Sequence, residues 1–282
     1  MPHIMKDSDM KPYWKVIEEV IMQSDIVLEI LDSRMIELSR NKQLEEIINK
    51  SGRPRIVVIS KADLAQRKDV EVKRKSLVDE GCEFVVSFSK KRKDSVINLL
   101  MTIKKAFHKY GKRERIDYDL KYAPREAKAE IVIGVVGYPN VGKSSLINAL
   151  AHKKKAIVSS KSGTTRGIHW IKVGEGIKIL DTPGVLPYEK IDEVKLGLIS
   201  SWTNEKLRQP DLVAGKIIEL FLKDKKRNLE RFYDFKITSD NPYEVLEDLG
   251  RRKGHLKAGG EVEEMRTSQM IVKDWQSGKL RL

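Results

Sequence analysis

Residues 137–145 read GYPNVGKSS, which satisfies G-x-x-x-x-G-K-[ST] with Gly137, Gly142, Lys143 and Ser144 in the fixed places. The pattern constrains the fold because it works in one setting only. A buried strand must lead into it and a helix must leave it, so that backbone N–H groups and a helix N-terminus converge on phosphate. The flanks supply both: IVIGVV (131–136) is a short β-branched apolar run, and SLINALAH (145–152) follows. Glycine, lacking a Cβ, lets the backbone approach the ligand closely. Asn140, Val141, Gly142, Lys143, Ser144 and Ser145 would then line the phosphates. Lys143 would reach the β- and γ-phosphates, and the Ser144 hydroxyl would ligate Mg²⁺.

The rest of the chain suits an α/β fold around this loop. Residues 25–32, 55–60 and 82–87 are further Val/Ile-rich runs of the kind buried on both faces of a parallel sheet. Helical spacing fills the intervals: about Tyr13–Ser24, Asn41–Lys50, Asp69–Glu80 and Asp94–His108. After a polar stretch at 110–129, strands are expected at 130–136, 167–173 and 176–180. The alternation predicts a doubly wound α/β sheet. Beyond Ile191 the strand signal fades, and helices are expected at Val194–Leu207, Leu212–Leu222, Pro242–Gly250 and Val262–Trp275. The expected domains are 1–204, with 110–129 as an internal linker, and a small helical domain at 205–282.

Other motifs fall at strand ends. Asp181-Thr-Pro-Gly184 closes GIKIL, placing a carboxylate for the Mg²⁺ shell and, at Gly184, an N–H for the γ-phosphate. Between it and the phosphate loop, SGTTRG (162–167) offers a threonine to complete the metal shell, Thr165 or alternatively Thr164. Base selectivity comes from upstream. Ser60-Lys-Ala-Asp63 closes the strand RIVVIS, and a carboxylate there accepts from guanine N1–H and N2–H₂ together, which adenine cannot match. Asp63 takes that role, with the Lys61 stem along the ring. One strand later, FVVSFS (84–89) suits a loop supporting guanine O6, through Ser87 or through Ser89 with Lys90. The motifs thus run base, base, phosphate, first switch, second switch. An ordinary G domain begins with the phosphate loop, so this order is a circular permutation, with the old ends joined through 110–129.

Composition narrows the partners. The 282 residues carry 55 Lys/Arg against 41 Asp/Glu, a net charge of +14, which favours a polyanion such as RNA. The excess is spread: residues 205–282 hold 17 Lys/Arg and 14 Asp/Glu, so the first domain carries the remaining +11. Cys82 is the single cysteine, which rules out an intrachain disulfide or a cysteine zinc site and fits a reducing cytoplasm. No apolar run of about 18 residues is present and no export signal opens the chain, so no membrane role is expected. Nothing in the sequence points to an oligomer.

Taken together these motifs resemble the circularly permuted ribosome-assembly GTPases, the YlqF/RbgA- and YawG-like group. DIVLEILDSR (25–34) followed by SRN looks like that group's DAR-containing segment, and 249–280 looks like its C-terminal helical segment. The resemblance implies GTP/GDP and Mg²⁺ as ligands, and GTP hydrolysis coupled to maturation of a large ribosomal subunit precursor. It also implies ribosomal RNA contacted through the C-terminal domain. Alternatives are a GTP-gated RNA-binding module with negligible turnover, a protein acting on tRNA, or a broader NTPase. Lys143, Thr165, Gly184 and Asn140 are the residues the resemblance assigns to catalysis. Asn140 stands where cation-dependent relatives ligate K⁺. Val185 stands where Ras-like enzymes use a water-positioning glutamine, which implies slow intrinsic turnover. Bacterial members carry an N-terminal histidine; here Asp9 aligns with it and His3 is the nearest, so no catalytic role transfers. Ser60 stands where the group mostly has asparagine, leaving open how guanine N7 and the phosphate loop are contacted.

Overall fold

In the computed structural model, residues 7–113, 131–151, 169–173, 176–181 and 192–282 are described. The chain divides into two compact units, one of residues 1–63 and 67–187, the other of 64–66 and 188–282.

The first unit is a mixed α/β layer structure. In chain order it holds α1 (Asp7–Gln23), β1 (Ile26–Asp32), α2 (Ile36–Ser39), α3 (Lys42–Ser51), β2 (Arg55–Ser60), α4 (Arg67–Asp79), β3 (Phe84–Ser87), α5 (Lys93–Tyr110), β4 (Ile131–Val136), α6 (Lys143–Ala151), β5 (His169–Lys172) and β6 (Ile177–Asp181). The six strands form one sheet in the order β3-β2-β1-β4-β6-β5, parallel except for β5. All seven positions of β1 are buried, as expected of a central strand covered on both faces. Ile17 and Ile21 of α1, Leu44 and Ile48 of α3, Val27 and Val136 form one apolar cluster. Asn41 caps α3 by accepting the Leu44 N–H at 3.2 Å.

The chain's two halves meet along β1 and β4, with Ile26 opposite Ile133 and Glu29 opposite Val136. Asp25 fixes this seam. Its N–H donates to Val132 O at 2.8 Å, and its carboxylate accepts the N–H groups of Val132 (2.8 Å) and Arg113 (3.1 Å). One side chain therefore holds a residue close to each end of the segment 114–130. The strand order puts the C-terminal ends of β1, β2, β3, β4 and β6 on one edge, where doubly wound sheets carry their ligand loops.

The second unit is helical: α7 (Glu193–Leu198), a short 3₁₀ turn, α8 (Pro210–Asp224), α9 (Lys226–Tyr233), α10 (Pro242–Arg252) and α11 (Glu264–Ser277). Its core gathers Val213, Ile217, Phe221, Leu249, Ile271 and Trp275, all fully buried. Trp275 meets Phe221 edge-on at 6.3 Å and satisfies its indole N–H on Leu198 O at 2.8 Å. The helix expected at Val194–Leu207 stops at Leu198, because Ser200 turns left-handed at φ 60. Helix α7 belongs with this unit: Gly197 lies so close to Val213 of α8 that a Cβ there would be 2.9 Å away.

Candidate functional site

The phosphate loop leaves β4 at Val136 and enters α6 at Lys143. Gly137 (φ 142) and Gly142 (φ 117) occupy backbone conformations that favour glycine. A Cβ at Gly137 would lie 2.8 Å from Ile30 O, and one at Gly142 would lie 3.3 Å from Ser60. Lys143 is buried, and its ammonium donates to the carbonyls of Gly137 (2.9 Å) and Tyr138 (2.8 Å), inside the turn of the loop. Ser144 is exposed at the helix start, Ser145 is half-buried, and Val141 is buried beneath. Asn140 adopts φ 57 at the exposed tip, a left-handed conformation asparagine tolerates better than most residues. The cradle thus has the shape, the cation and the exposed hydroxyl that a triphosphate with Mg²⁺ requires. Asp181 ends β6 beside Val135 of β4, one residue before the loop strand finishes. Thr164, Thr165, Gly184 and Val185 lie outside the described residues.

The SKAD loop follows β2 and is tied to this cradle. Ser60 is buried, and its hydroxyl reaches both Leu31 O (2.9 Å) and Val141 O, the latter in a very short contact. The contact to the phosphate loop is therefore made by a hydroxyl where the resembling group mostly has an asparagine amide. Lys61 follows at φ 53. Asp63 is half-buried. Its Oδ1 accepts from the Ser89 hydroxyl at 2.8 Å, and its Oδ2 pairs with Lys91 Nζ at 2.8 Å. Burial alone would raise the Asp63 pKa, but the hydrogen bonds from Lys91 and Ser89 outweigh it and keep it below the ordinary value. Of the two candidate serines, Ser89 is the one that touches Asp63; Ser87 lies earlier, within β3, opposite Ile59. The two loops are also stitched by backbone, Ala62 N–H to Phe88 O at 3.0 Å.

Beneath these loops sits a charged group from the end of the DIVLEILDSR segment, whose contacts the motif alone does not show. Asp32 and Arg34, at the end of β1, have side chains with 0% exposure. Arg34 donates through Nε to Oδ1 (3.1 Å) and through Nη2 to Oδ2 (2.9 Å), while Lys61 Nζ reaches Oδ2 at 2.7 Å. Burial works against both charges. On Asp32 it is outweighed by Arg34 and Lys61, which hold the carboxyl far below the carboxylate range. On Lys61 burial prevails over Asp32 and moves the ammonium below the usual lysine value. The available signal was an acidic residue at the C-terminal end of a fully buried strand. Lys91 was similarly hidden within the run Lys90–Lys93, which reads as a solvated charge cluster.

A family model described as "50S ribosome-binding GTPase" matches residues 132–243. An uncharacterized GTP-binding protein of Methanocaldococcus jannaschii is 35% identical over 271 residues, covering 95% of this chain and 66% of that protein. The chain thus spans about two thirds of the archaeal relative's length. Ribosome biogenesis GTPase A of Bacillus cereus is 29% identical over 271 residues, covering 94% of this chain and 86% of that one. The structure of GNP-bound YlqF from T. maritima superposes with a TM-score of 0.61 at 21% identity, over 95% of this chain and 94% of the other, which speaks to the fold. A phosphate loop that enters the sheet at its fourth strand, behind the base loops of the second and third, agrees with relatives that match over nearly all of this chain: the chain belongs to the circularly permuted P-loop GTPases of the YlqF/RbgA- and YawG-like group.

Proposed function

We propose that this protein binds GTP and hydrolyses it slowly, acting as a switch in assembly of the large ribosomal subunit through contact with ribosomal RNA. The observation that carries the reading is the contact of Ser60 with Val141 of the phosphate loop, across 81 residues of sequence, in the same loop whose Asp63 bonds to Ser89. Asp63 is ionised and oriented by Ser89, as a carboxylate that accepts from guanine N1–H and N2–H₂ must be. Lys143 and the loop N–H groups would hold the β- and γ-phosphates. Ser144, with Thr165 and Asp181, would hold Mg²⁺, which supplies charge neutralisation on the phosphates when bound. Gly184 and Thr165 would close onto the γ-phosphate, and hydrolysis would release them. Asn140 would hold K⁺, whose charge would stabilise the transition state in a site where Val185 cannot position the attacking water.

The relatives named for ribosome biogenesis support the assembly role. The charge of +14 supports an RNA partner. Among the described residues no helix is long and apolar enough to cross a membrane. Such a switch would work in the cytoplasm.

The direct test is Asp63→Asn. An amide complements the 2-carbonyl of xanthine, so preference should move from GTP to xanthosine triphosphate by roughly a hundredfold or more. Unchanged GTP affinity in the folded variant would remove Asp63 from the site. Phosphate release with and without ribosomal particles then separates a switch with turnover from a nucleotide-gated RNA binder.

A further inference from the structure

The loop after β3 closes over the carboxylate that guanine would use. Lys91 is tied to Asp63 at both ends. Its N–H donates to Ser89 Oγ at 3.2 Å, and that hydroxyl donates to Asp63 Oδ1 at 2.8 Å. Its Nζ takes the other carboxylate oxygen, Oδ2, at 2.8 Å. The two holds differ in kind. Ser89 is buried, and its backbone is pinned by Ser95 Oγ, which accepts the Ser89 N–H at 3.1 Å. The Lys91 side chain is 52% exposed, against 15% for Asp63, so it covers the carboxylate from the solvent side, where a base must arrive. A carboxylate that already receives a hydroxyl and an ammonium keeps fewer acceptor sites for the N1–H and N2–H₂ pair. Guanine must therefore displace Lys91 Nζ or find it already gone.

Lys91 also belongs to a basic surface. Lys90, Lys91, Arg92 and Lys93 are consecutive and all exposed, and among the described residues Lys91 is the only one of the four in an ion pair. Lys90 charges the same edge: the Lys61 ammonium is held below its usual pKa by burial first, with Arg34 and Lys90 adding to the effect. Releasing Lys91 needs only a rotation of its flexible stem, because the loop backbone is fixed by Ala62 N–H to Phe88 O (3.0 Å) and Arg92 N–H to Ser89 O (3.1 Å).

We propose that Lys91 is a latch on the guanine carboxylate, and that the surface formed with Lys90, Arg92 and Lys93 binds RNA backbone phosphates, which draw the latch open. RNA and nucleotide take opposite members of one ion pair and so favour each other. Phosphate that holds Lys91 frees Asp63, and a base that holds Asp63 frees Lys91 for phosphate. This rests on the reading of Asp63 as the guanine carboxylate and of RNA as the partner, and adds to it a route by which RNA sets nucleotide affinity. The latch itself limits the size of the effect: a half-exposed pair is weak, and its loss moves an equilibrium about three- to fivefold.

The experiment titrates the full chain with a ribose-labelled fluorescent GDP, with and without oligouridylate at fixed salt. RNA should tighten GDP on the parent about threefold. Lys91→Met keeps the stem and removes the charge on an exposed loop. It should bind GDP about threefold tighter than the parent without RNA, and gain nothing further with RNA. Arg92→Met/Lys93→Met leaves the latch in place, so it should match the parent without RNA and lose most of the response to it. If Lys91→Met binds GDP no tighter than the parent, or still responds to RNA, the latch is overturned. A double variant that responds as fully as the parent overturns the RNA surface. Asp63→Asn separates these failures from failure of the guanine reading. If it turns preference to xanthosine diphosphate while Lys91→Met binds GDP like the parent, the latch alone falls. If it turns no preference, the guanine reading falls and takes the latch with it.

Discussion

Asn140 stands at the exposed tip of the phosphate loop with φ 57, so its amide and its backbone make separate demands. Alanine would remove the amide and also strain a left-handed position, confounding the two; glycine removes the amide alone. If K⁺ held by Asn140 stabilises the transition-state charge, turnover of the parent should be several-fold faster in K⁺ than in Na⁺ at equal ionic strength, and Asn140→Gly should lose that difference. Stimulation that survives in the glycine variant would exclude the asparagine as the cation ligand. The phosphate loop was legible because its residues are few and fixed in spacing, and glycines at φ 142 and φ 117 can hardly be anything else. Ser60 was harder. A hydroxyl can replace an amide only if a carbonyl lies in reach, and that depends on Gly142 passing within van der Waals contact of Ser60, which spacing does not reveal. Ser89 over Ser87 was equally a matter of three dimensions, since β3 ends at Ser87 and the chain must turn before a side chain can face Asp63.

Strand β1 carries an acid at its centre. Glu29 is 2% exposed, pairs with Arg55 at 3.2 Å, and leaves its Oε1 without a hydrogen-bond partner. Burial pushes its pKa up to about 7; Arg55 and Arg40 pull it down, and Glu45 opposes them. A carboxyl whose folded pKa exceeds its unfolded value near 4.5 contributes stability that is complete below the unfolded value and lost as pH rises through 7. Glu29→Gln should therefore flatten the stability profile between about pH 5 and pH 8. The parent should lose on the order of 2 kcal/mol more than the variant over that window. Parallel melting curves at the two pH values would show that Glu29 is not the group responsible. The elements themselves were read with uneven success. The central strands announced themselves by unbroken Val/Ile runs. Helix α9 did not, because Leu229 and Tyr233 are its only buried residues and the rest of KRNLERFY is polar, charged or exposed. Two apolar side chains four apart suffice to seat one helix but not to distinguish its sequence from a loop.

At the scale of the molecule, the net charge of +14 sets how any RNA partner is bound. Each phosphate neutralised releases counterions, so affinity should fall steeply with salt. Reversing Arg251, Arg252, Lys253 and Lys257 should weaken binding and flatten the slope by about 0.7–0.9 per lost phosphate contact. These residues are exposed at and beyond the end of α10, where Arg251 already pairs with Glu247 and Lys253 stacks over Tyr233. An unchanged slope would move the RNA contact elsewhere. The permuted order itself was legible, since it needs only the sequence positions of motifs; the seam that permits it was not, because it depends on one aspartate accepting from residues far along the chain. That seam has a practical side. Asp25 takes the N–H of Arg113 and of Val132, so a residue close to each end of segment 114–130 is anchored to one carboxylate whatever lies between them. For a chain tethered in this way, each doubling of length costs only about 0.6 kcal/mol. A Gly/Ser insert that doubles the segment should thus lower stability by about 1 kcal/mol or less and leave GTP affinity intact. Asp25→Ala, by freeing the buried Val132 N–H and the part-buried Arg113 N–H, should cost roughly 2 kcal/mol or more by the same denaturation assay; losses in the reverse order would deny the anchoring. The joint that reorders the motifs is in this sense a docking port for protein engineering, where a reporter or a second enzyme can be spliced into the middle of the chain at little cost to the nucleotide site on either side.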